Sequence, residues 1–393
     1  MYKILTLNNI SVTGLRRLPR ERYEIASEIG HPDAIMLRSF KMHDMEIPDT
    51  VSAVARAGAG VNNIPVEALS KRGVPVFNAP GANANAVKEL VVAGMLLAAR
   101  NICPAWAYVR ELKSEGAELD KAVEAGKKQF VGFELPSRTL GVVGLGAIGV
   151  QLANTALSLG MRVIGFDPQI TVRRAWELSS GVEQARSLDD LIGRCDMISV
   201  HVPLLDATRG MLNAERLRLA PEGTVLMNFS RGEIIDEAAA LAALDSGRLA
   251  AYVTDFPTRR TIDHPKVIAL PHLGASTEEA EENCAVMVAD NLREYIENGI
   301  IRNSVNFPEV DLPRADAHRI TIANANVPNM VGQISTCLAD AGLNIADLLN
   351  KSRGDLAYTV VDLDGSVPED TLDDLRAIKG VLRVRDLGRP LNA

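Results

Sequence analysis

The stretch from Leu140 to Asp167, LGVVGLGAIGVQLANTALSLGMRVIGFD, decides how the middle of this chain folds. An apolar run, Leu140 to Val143, reaches Gly144-Leu145-Gly146-Ala147-Ile148-Gly149, and Val150, Leu152, Ala153, Ala156 and Leu157 then follow at helical spacing. A second apolar run, Val163 to Phe166, ends at Asp167. This is strand, glycine turn, helix, strand, acid. Gly144 permits the tight strand-to-helix turn, Gly146 lets the backbone approach a pyrophosphate, and Gly149 lets the helix pack closely on the strand. The pyrophosphate then lies on the positive helix N-terminus, with Ala147 and Ile148 in its first turn. A carboxylate at Asp167 accepts hydrogen bonds from an adenosine ribose and repels a 2′-phosphate, so the pattern selects NAD over NADP. A glycine triplet alone is weak evidence. Here both strands, the helix and the terminal acid accompany it.

Bulk composition sets the frame. With 393 residues the chain has room for two or three domains, and 47% hydrophobic with 23% charged residues is ordinary for a globular protein. The formal net charge of −8 leaves no basic footprint for nucleic acid. A phosphorylated substrate must therefore be drawn by local Arg or Lys. Cys103, Cys195, Cys284 and Cys337 are scattered without CxxC spacing, which predicts buried free thiols in a reducing cytoplasm and no metal site. The start, MYKILTLNNI, lacks the charge and apolar pattern of a signal peptide, and Leu90–Ala99 is too short to span a bilayer.

Outside the opening stretch, KILTLNN, AIMLRS, AVARAG and VPVFNAP are strand candidates before residue 99. The segment 86–100 has helical spacing with almost no polar face, which predicts burial between domains or between subunits. MISVHVP, VLMNFS, YVTDF and VIALPH continue the strand–helix alternation to residue 272, the mark of a doubly wound parallel sheet. Ligands in such sheets bind beyond the carboxyl ends of the strands, so Asp167, His201, Ser230, Arg231, Asp255 and His272 converge on one crevice. Ser276-Thr277-Glu278-Glu279 has the form of a capping box opening a long helix. FPEVDLPRADAHR (307–319) reads as a linker, and a βαββαβ order follows it, a ferredoxin-like unit large enough that it could fold alone.

Hydride transfer from an alcohol carbon needs a base for the hydroxyl proton, a cation on the forming carbonyl and a hold on the substrate carboxylate. His272 in PHLGAST and Arg231 in NFSRGEIIDE are the pair that can supply these. His31, His43, His264 and His318 fall in loops or polar stretches and are expected in solvent. His201 in SVHVPL ends a strand, where lining the cofactor, with Val202 and Pro203, outweighs catalysis.

GLGAIG with Asp167, HVPL, NFSRGEIIDE, YVTDFP and PHLGAST together resemble the signature series of the D-isomer-specific 2-hydroxyacid dehydrogenases. RAGAGVNNIPVE (56–67) and VPVFNAPGANANAVKELV (74–91) are similar to the branch of that family that acts on 3-phosphoglycerate. HRITIANANVPNMVGQISTCLADAGLNIADL resembles the ACT regulatory domain that follows in many of those enzymes. The resemblance implies a Rossmann-like nucleotide domain (100–274) inserted in a flavodoxin-like substrate domain (1–99 and 275–306), then a linker (307–316) and an ACT domain (317–393). It implies a cytoplasmic homodimer or homotetramer that oxidises 3-phospho-D-glycerate to 3-phosphohydroxypyruvate with NAD, the first step of serine synthesis, with L-serine as effector.

Carried residue by residue, Arg231 binds the carboxylate and 2-oxygen, and His272 exchanges the proton. Gly60-Val61-Asn62 hold the carboxylate through backbone groups, and Arg38 is the candidate for the phosphate. NAD contacts fall on Gly144, Gly146, Ala147, Ile148, Gly149, Asp167, His201, Val202, Pro203, Phe229, Ser230, Asp255, Gly274 and Ala275, with Asp255 toward the nicotinamide amide. Asn326 and Asn344 match the effector asparagines. One departure stands out: the glutamate that partners the catalytic histidine in the family is replaced by Arg259 or Arg260, depending on the frame. Either Asp263 or another acid substitutes, or His272 works without an acidic partner. Two other readings share the fold: a dehydrogenase of another 2-hydroxy acid such as 2-hydroxyglutarate, and a non-catalytic dinucleotide sensor.

Overall fold

A computed structural model describes residues 1–390; positions 391–393 of the expected C-terminal domain lie outside the described residues. The chain divides into two compact units, residues 1–82 with 281 onward, and residues 83–280. The fold class is α/β, with two parallel sheets and one antiparallel sheet.

The 83–280 unit holds a seven-stranded parallel sheet of β6 (Thr139–Val143), β7 (Arg162–Phe166), β8 (Val182–Gln184), β9 (Met197–Val200), β10 (Thr224–Asn228), β11 (Leu249–Thr254) and β12 (Val267–Ala269). Their order, β12-β11-β10-β9-β6-β7-β8, reverses direction at β6, the switch point of a Rossmann sheet. β6, β9 and β10 are buried along their whole length, as parallel strands covered on both faces must be.

The Ala84–Ala99 helix belongs to this unit, which corrects its assignment to the first domain. It buries Val87, Val91, Met95 and Ala98, one stripe in steps of three or four residues, in the same core as Val142, Met227 and Phe229. Among the described residues no single helix is long and apolar enough to cross a membrane.

In the other unit β1 (Tyr2–Leu7), β2 (Tyr23–Ala26), β3 (Ala34–Leu37), β4 (Ala53–Arg56) and β5 (Val76–Phe77) form a parallel sheet. The order β2-β1-β3-β4-β5 is that of flavodoxin-like sheets. The Glu278–Asn298 helix returns the chain to it. Its cap is Thr277 rather than Ser276, because the Ala280 N–H donates to Thr277 Oγ1 at 3.1 Å. The connecting segment is tied down: Phe307 and Val310 are fully buried, and Ile301 and Val310 exchange both backbone hydrogen bonds.

The C-terminal part has the expected βαββαβ order and ferredoxin-like topology. Its antiparallel sheet runs β14 (Ile345–Arg353), β15 (Leu356–Leu363), β13 (His318–Ala325), β16 (Val381–Gly388). Ile320, Ile322, Val361 and Leu363 face its own two helices. Its opposite face is covered as well: Ala323, Tyr358 and Val360 join the core of Phe77, Tyr295 and Phe307. On that face Arg319 is fully buried. Its guanidinium is bidentate to Asp362 at 2.6 and 2.7 Å and donates to the carbonyls of Asn298, Leu312 and Pro313. With every donor partnered, the desolvation cost of the buried cation is offset.

Candidate active site

The glycine turn of the 83–280 unit has the geometry a dinucleotide needs. Gly144 has φ +91°, and a Cβ there would lie 2.6 Å from the His201 carbonyl oxygen. A Cβ on Gly149 would overlap the Gly144 carbonyl, so the helix can approach the strand only as glycine. At Gly146 nothing lies within 4 Å of a Cβ position, which leaves open space at the start of the 12-residue Ala147–Ser158 helix. Asp167 ends β7 half-buried, accepting from Leu145 N–H at 2.8 Å and Gln169 N–H at 2.9 Å.

The other expected cofactor residues stand at neighbouring strand ends. Ser230 Oγ donates to the Val200 carbonyl at 2.6 Å, and Phe229 is buried beside it. Val202 is partly buried, and the Pro203 carbonyl accepts from Thr208 Oγ1 at 2.6 Å. His201 Nε2 lies 2.8 Å from Ser199 Oγ while Nδ1 is buried without a partner. Burial pushes the imidazole down to about 4, so it stays neutral, in keeping with a lining role.

Three groups meet where β10, β11 and β12 end side by side. Arg231 follows β10 and is exposed, its Nη1 donating to the Ser230 carbonyl at 2.6 Å. Asp255 follows β11 and is 1% exposed; burial raises its pKa above the usual carboxylate range, opposed by the charges of His272 and Arg231 and by the N–H of Gly274. His272 follows β12 and is exposed, with its ring 4.9 Å from that of Phe256. Gly274 N–H donates to Asp255 Oδ2 at 3.2 Å, while Oδ1 is buried with no partner. That orphaned acceptor fits a carboxamide N–H, and with the open space at Gly146 the residues present fit a nicotinamide dinucleotide. Ala275 is half-buried just beyond.

No carboxylate occupies the sequence position of the missing glutamate. Arg259 is exposed and paired to Asp263 at 3.0 Å, so Asp263 is committed to that arginine. A cavity of about 500 Å³ beside His272 is instead walled by Asp255, Glu233 and Glu237, and Glu237 accepts from Thr258 Oγ1 at 2.6 Å.

In the other unit, Arg38 follows β3 and is paired to Glu281 at 2.5 Å. Gly60, Val61 and Asn62 lie in the loop after β4; Asn62 is exposed, and its carbonyl is 3.0 Å from His43 Nε2. Sequence reasoning missed Arg56. It stands opposite Leu37 in the β3–β4 register and donates to the carbonyls of Arg38 at 3.0 Å and Gly60 at 2.5 Å. Both guanidiniums act on the buried Cys284 thiol, which places two cations at adjacent strand ends. The signal was an arginine closing an apolar strand, as at Arg38. Two histidines are less exposed than expected: His318 is 8% exposed and 2.7 Å from Asp386, and His264 is paired to Asp245 at 3.2 Å. Of the thiols, Cys195 and Cys284 are buried, while Cys103 and Cys337 are only partly so.

The two asparagines expected to bind an effector are not brought together within the chain. Asn326 Nδ2 donates to the Gly354 carbonyl at 3.0 Å, near the Leu356 end of β15, whereas at the other end the Asn344 N–H donates to Asp364 Oδ1 and the Asn344 carbonyl accepts from the Asp364 N–H, both at 3.2 Å. An eight-residue strand separates them by roughly 24 Å.

A Rossmann sheet with this turn and with Arg231, Asp255 and His272 beyond its strand ends defines an NAD-dependent oxidoreductase. Residues 92–274 match the D-isomer specific 2-hydroxyacid dehydrogenase, NAD binding domain family. The chain is 35% identical over 339 residues to the D-3-phosphoglycerate dehydrogenase of Escherichia coli (strain K12), covering 83% of this chain and 79% of that one. It is 34% identical over 342 residues to the enzyme of that name from Haemophilus influenzae, covering 84% and 79%. The NAD+-bound 3-phosphoglycerate dehydrogenase of Entamoeba histolytica superposes with a TM-score of 0.60 at 26% identity, covering 78% of this chain and 98% of that one. The chain belongs to the D-isomer-specific 2-hydroxyacid dehydrogenases.

Proposed function

We infer that this protein oxidises 3-phospho-D-glycerate to 3-phosphohydroxypyruvate with NAD. The observation that carries the choice of substrate is the pair of guanidiniums, Arg38 and Arg56, at adjacent strand ends, because guanidinium forks suit a phosphate dianion and a 2-hydroxy acid without a second anionic group has no use for them. Bound NAD would supply the hydride acceptor, with Asp255 Oδ1 taking its carboxamide N–H. Arg231 holds the substrate carboxylate and polarises the 2-oxygen as it becomes a carbonyl. His272 takes the hydroxyl proton, and Asp255, buried and close by, stabilises the imidazolium that forms. Gly60-Val61-Asn62 offer the carboxylate their backbone N–H groups. A coupled assay with 3-phosphoglycerate, lactate and 2-hydroxyglutarate tests the reading: 3-phosphoglycerate should win by at least an order of magnitude in kcat/KM. Preference for either other acid overturns it.

We further propose that the C-terminal part is an ACT domain that binds L-serine, and that the protein works as a homo-oligomer. Leu96 on the Ala84–Ala99 helix and Ile102, Trp106, Val109 and Val131 after it are large apolar side chains left exposed, of the kind a second copy covers. Sedimentation of the wild type against Trp106→Glu tests this; a protein monomeric at micromolar concentration overturns it.

A further inference from the structure

The loop between β3 and β4 starts at Arg38, the residue assigned above to the substrate phosphate. Its first half is held from the substrate side. Asn63 is 8% exposed, and its Nδ2 donates to the carbonyls of Arg38 at 3.1 Å and Phe40 at 2.7 Å. The Met42 N–H donates to the Asn63 carbonyl at 2.9 Å, and His43 reaches the Asn62 carbonyl. The second half is held from elsewhere. Arg72 donates to the carbonyls of Ile47 at 2.9 Å and Pro48 at 2.8 Å, and pairs with the Asp49 carboxylate at 3.0 Å.

Arg72 is itself clamped by the C-terminal sheet. Arg383, on edge strand β16, donates from Nε to the Arg72 carbonyl at 3.3 Å and from Nη2 to the Asp49 carbonyl at 3.2 Å. The turn beneath is built for this approach. Gly73 has φ +67°, and a Cβ there would lie 2.8 Å from Arg383 Cβ and 3.2 Å from Ala323 Cβ. One guanidinium therefore joins the C-terminal sheet to both the loop and the turn that braces it.

We propose that Arg383 is a positioning residue for the substrate. Through Asp49 and Arg72 it fixes the 38–50 loop, and so the placement of Arg38 and Asn62, making the C-terminal sheet a standing wall of the phosphate-binding part. The proposal rests on the substrate assignment above. Guanidinium geometry matters, because two carbonyls are bridged by two N–H groups set at a fixed angle, which an ammonium cannot reproduce.

The test is Arg383→Ala and Arg383→Lys in the full chain, read by steady-state kinetics and by amide hydrogen exchange. Arg383→Ala should raise KM for 3-phosphoglycerate about 3- to 10-fold, with kcat and KM for NAD within about 2-fold of wild type. Lysine should recover only part of the difference. Exchange at the Met42 amide should quicken in both variants. A merely structural arginine would instead lower the melting temperature and the active fraction and leave KM unchanged, and that result overturns the proposal. If the wild type does not oxidise 3-phosphoglycerate, the substrate assignment fails. The exchange measurement then still decides the brace, since unchanged Met42 protection in Arg383→Ala overturns it.

Discussion

His272 is anchored to Asp255 by its own backbone: the His272 N–H donates to the Asp255 carbonyl at 3.0 Å. Two residues on, Gly274 N–H takes Oδ2 of the same aspartate. The imidazole-bearing loop is thus hung on the residue whose carboxylate it faces. Asp255 is nearly inaccessible, and its second oxygen makes no hydrogen bond. A buried carboxylate left half-satisfied costs stability, and such a cost persists where binding or catalysis uses the group.

Replacing Asp255 with Asn keeps the shape and removes the charge. A nearby carboxylate favours protonated imidazole, so its loss should move the acidic limb of the kcat/KM profile for 3-phosphoglycerate to lower pH. The carboxamide acceptor is weakened as well, so KM for NAD should rise. An unmoved acidic limb in a folded variant would assign the field at His272 to Glu233 or Glu237.

Arg231 is exposed, and its guanidinium donates to the Ser230 carbonyl, so truncating the side chain strands no buried charge. Arg231→Ala should cost on the order of 10²–10³ in kcat/KM with little change in melting temperature. Arg231→Lys should rescue little, since a planar fork becomes a point charge. Near-normal activity in the alanine variant would show that this arginine is not the carboxylate anchor.

Much of the fold and of the site is legible in the sequence. The glycine turn and Asp167 specified strand, helix and strand because each has its own period or backbone demand. β2 and β8 were missed for one reason: both are short strands at sheet edges, half-open to solvent, and lack the continuous apolar run of covered strands. Arg56 was missed because a charge closing an apolar strand looks the same whether it serves solvent or a site. The buried second face of the C-terminal sheet was hidden as well. Alternation along β13 marks two faces, but nothing in it says that Thr321 and Ala323 meet another core.

Asp167 already uses both oxygens on backbone N–H groups, which fixes its carboxylate just beyond β7, the position expected to meet the ribose. NAD should therefore exceed NADP by at least about tenfold in kcat/KM, an effect of roughly 1–3 kcal/mol. Asp167→Ala should narrow that ratio. Equal use of the two cofactors by the wild type would refute the assignment.

His201 carries a pH signature in stability. Its folded pKa is depressed to about 4, below the ordinary histidine value. As pH falls through that window the unfolded chain binds a proton that the folded chain refuses, so stability declines from about pH 6.5 toward pH 4. His201→Gln, which can keep the bond to Ser199, should flatten this decline by on the order of 2 kcal/mol. Chemical denaturation at pH 7 and pH 5 measures it; parallel losses in the two proteins would mean that His201 is protonated in place.

Serine regulation must be shared between copies if Asn326 and Asn344 are its ligands. They stand at opposite ends of β15, roughly 24 Å apart, a span that one serine cannot bridge. Two chains related by a two-fold axis can set Asn326 of one against Asn344 of the other, twice over. Millimolar L-serine should then slow the wild type, and Asn326→Ala or Asn344→Ala alone should each abolish the response. Mixing the two variants and allowing subunits to exchange should restore it in part. In a mixed pair one site loses both asparagines while the other keeps both, so about half of the mixed pairs' sites are intact and the rest of the sample has none. Recovery of inhibition on mixing would establish the shared site. Serine that slows neither the wild type nor the mixture, and gives no heat of binding at millimolar concentration, would refute the effector role and leave the dehydrogenase chemistry standing.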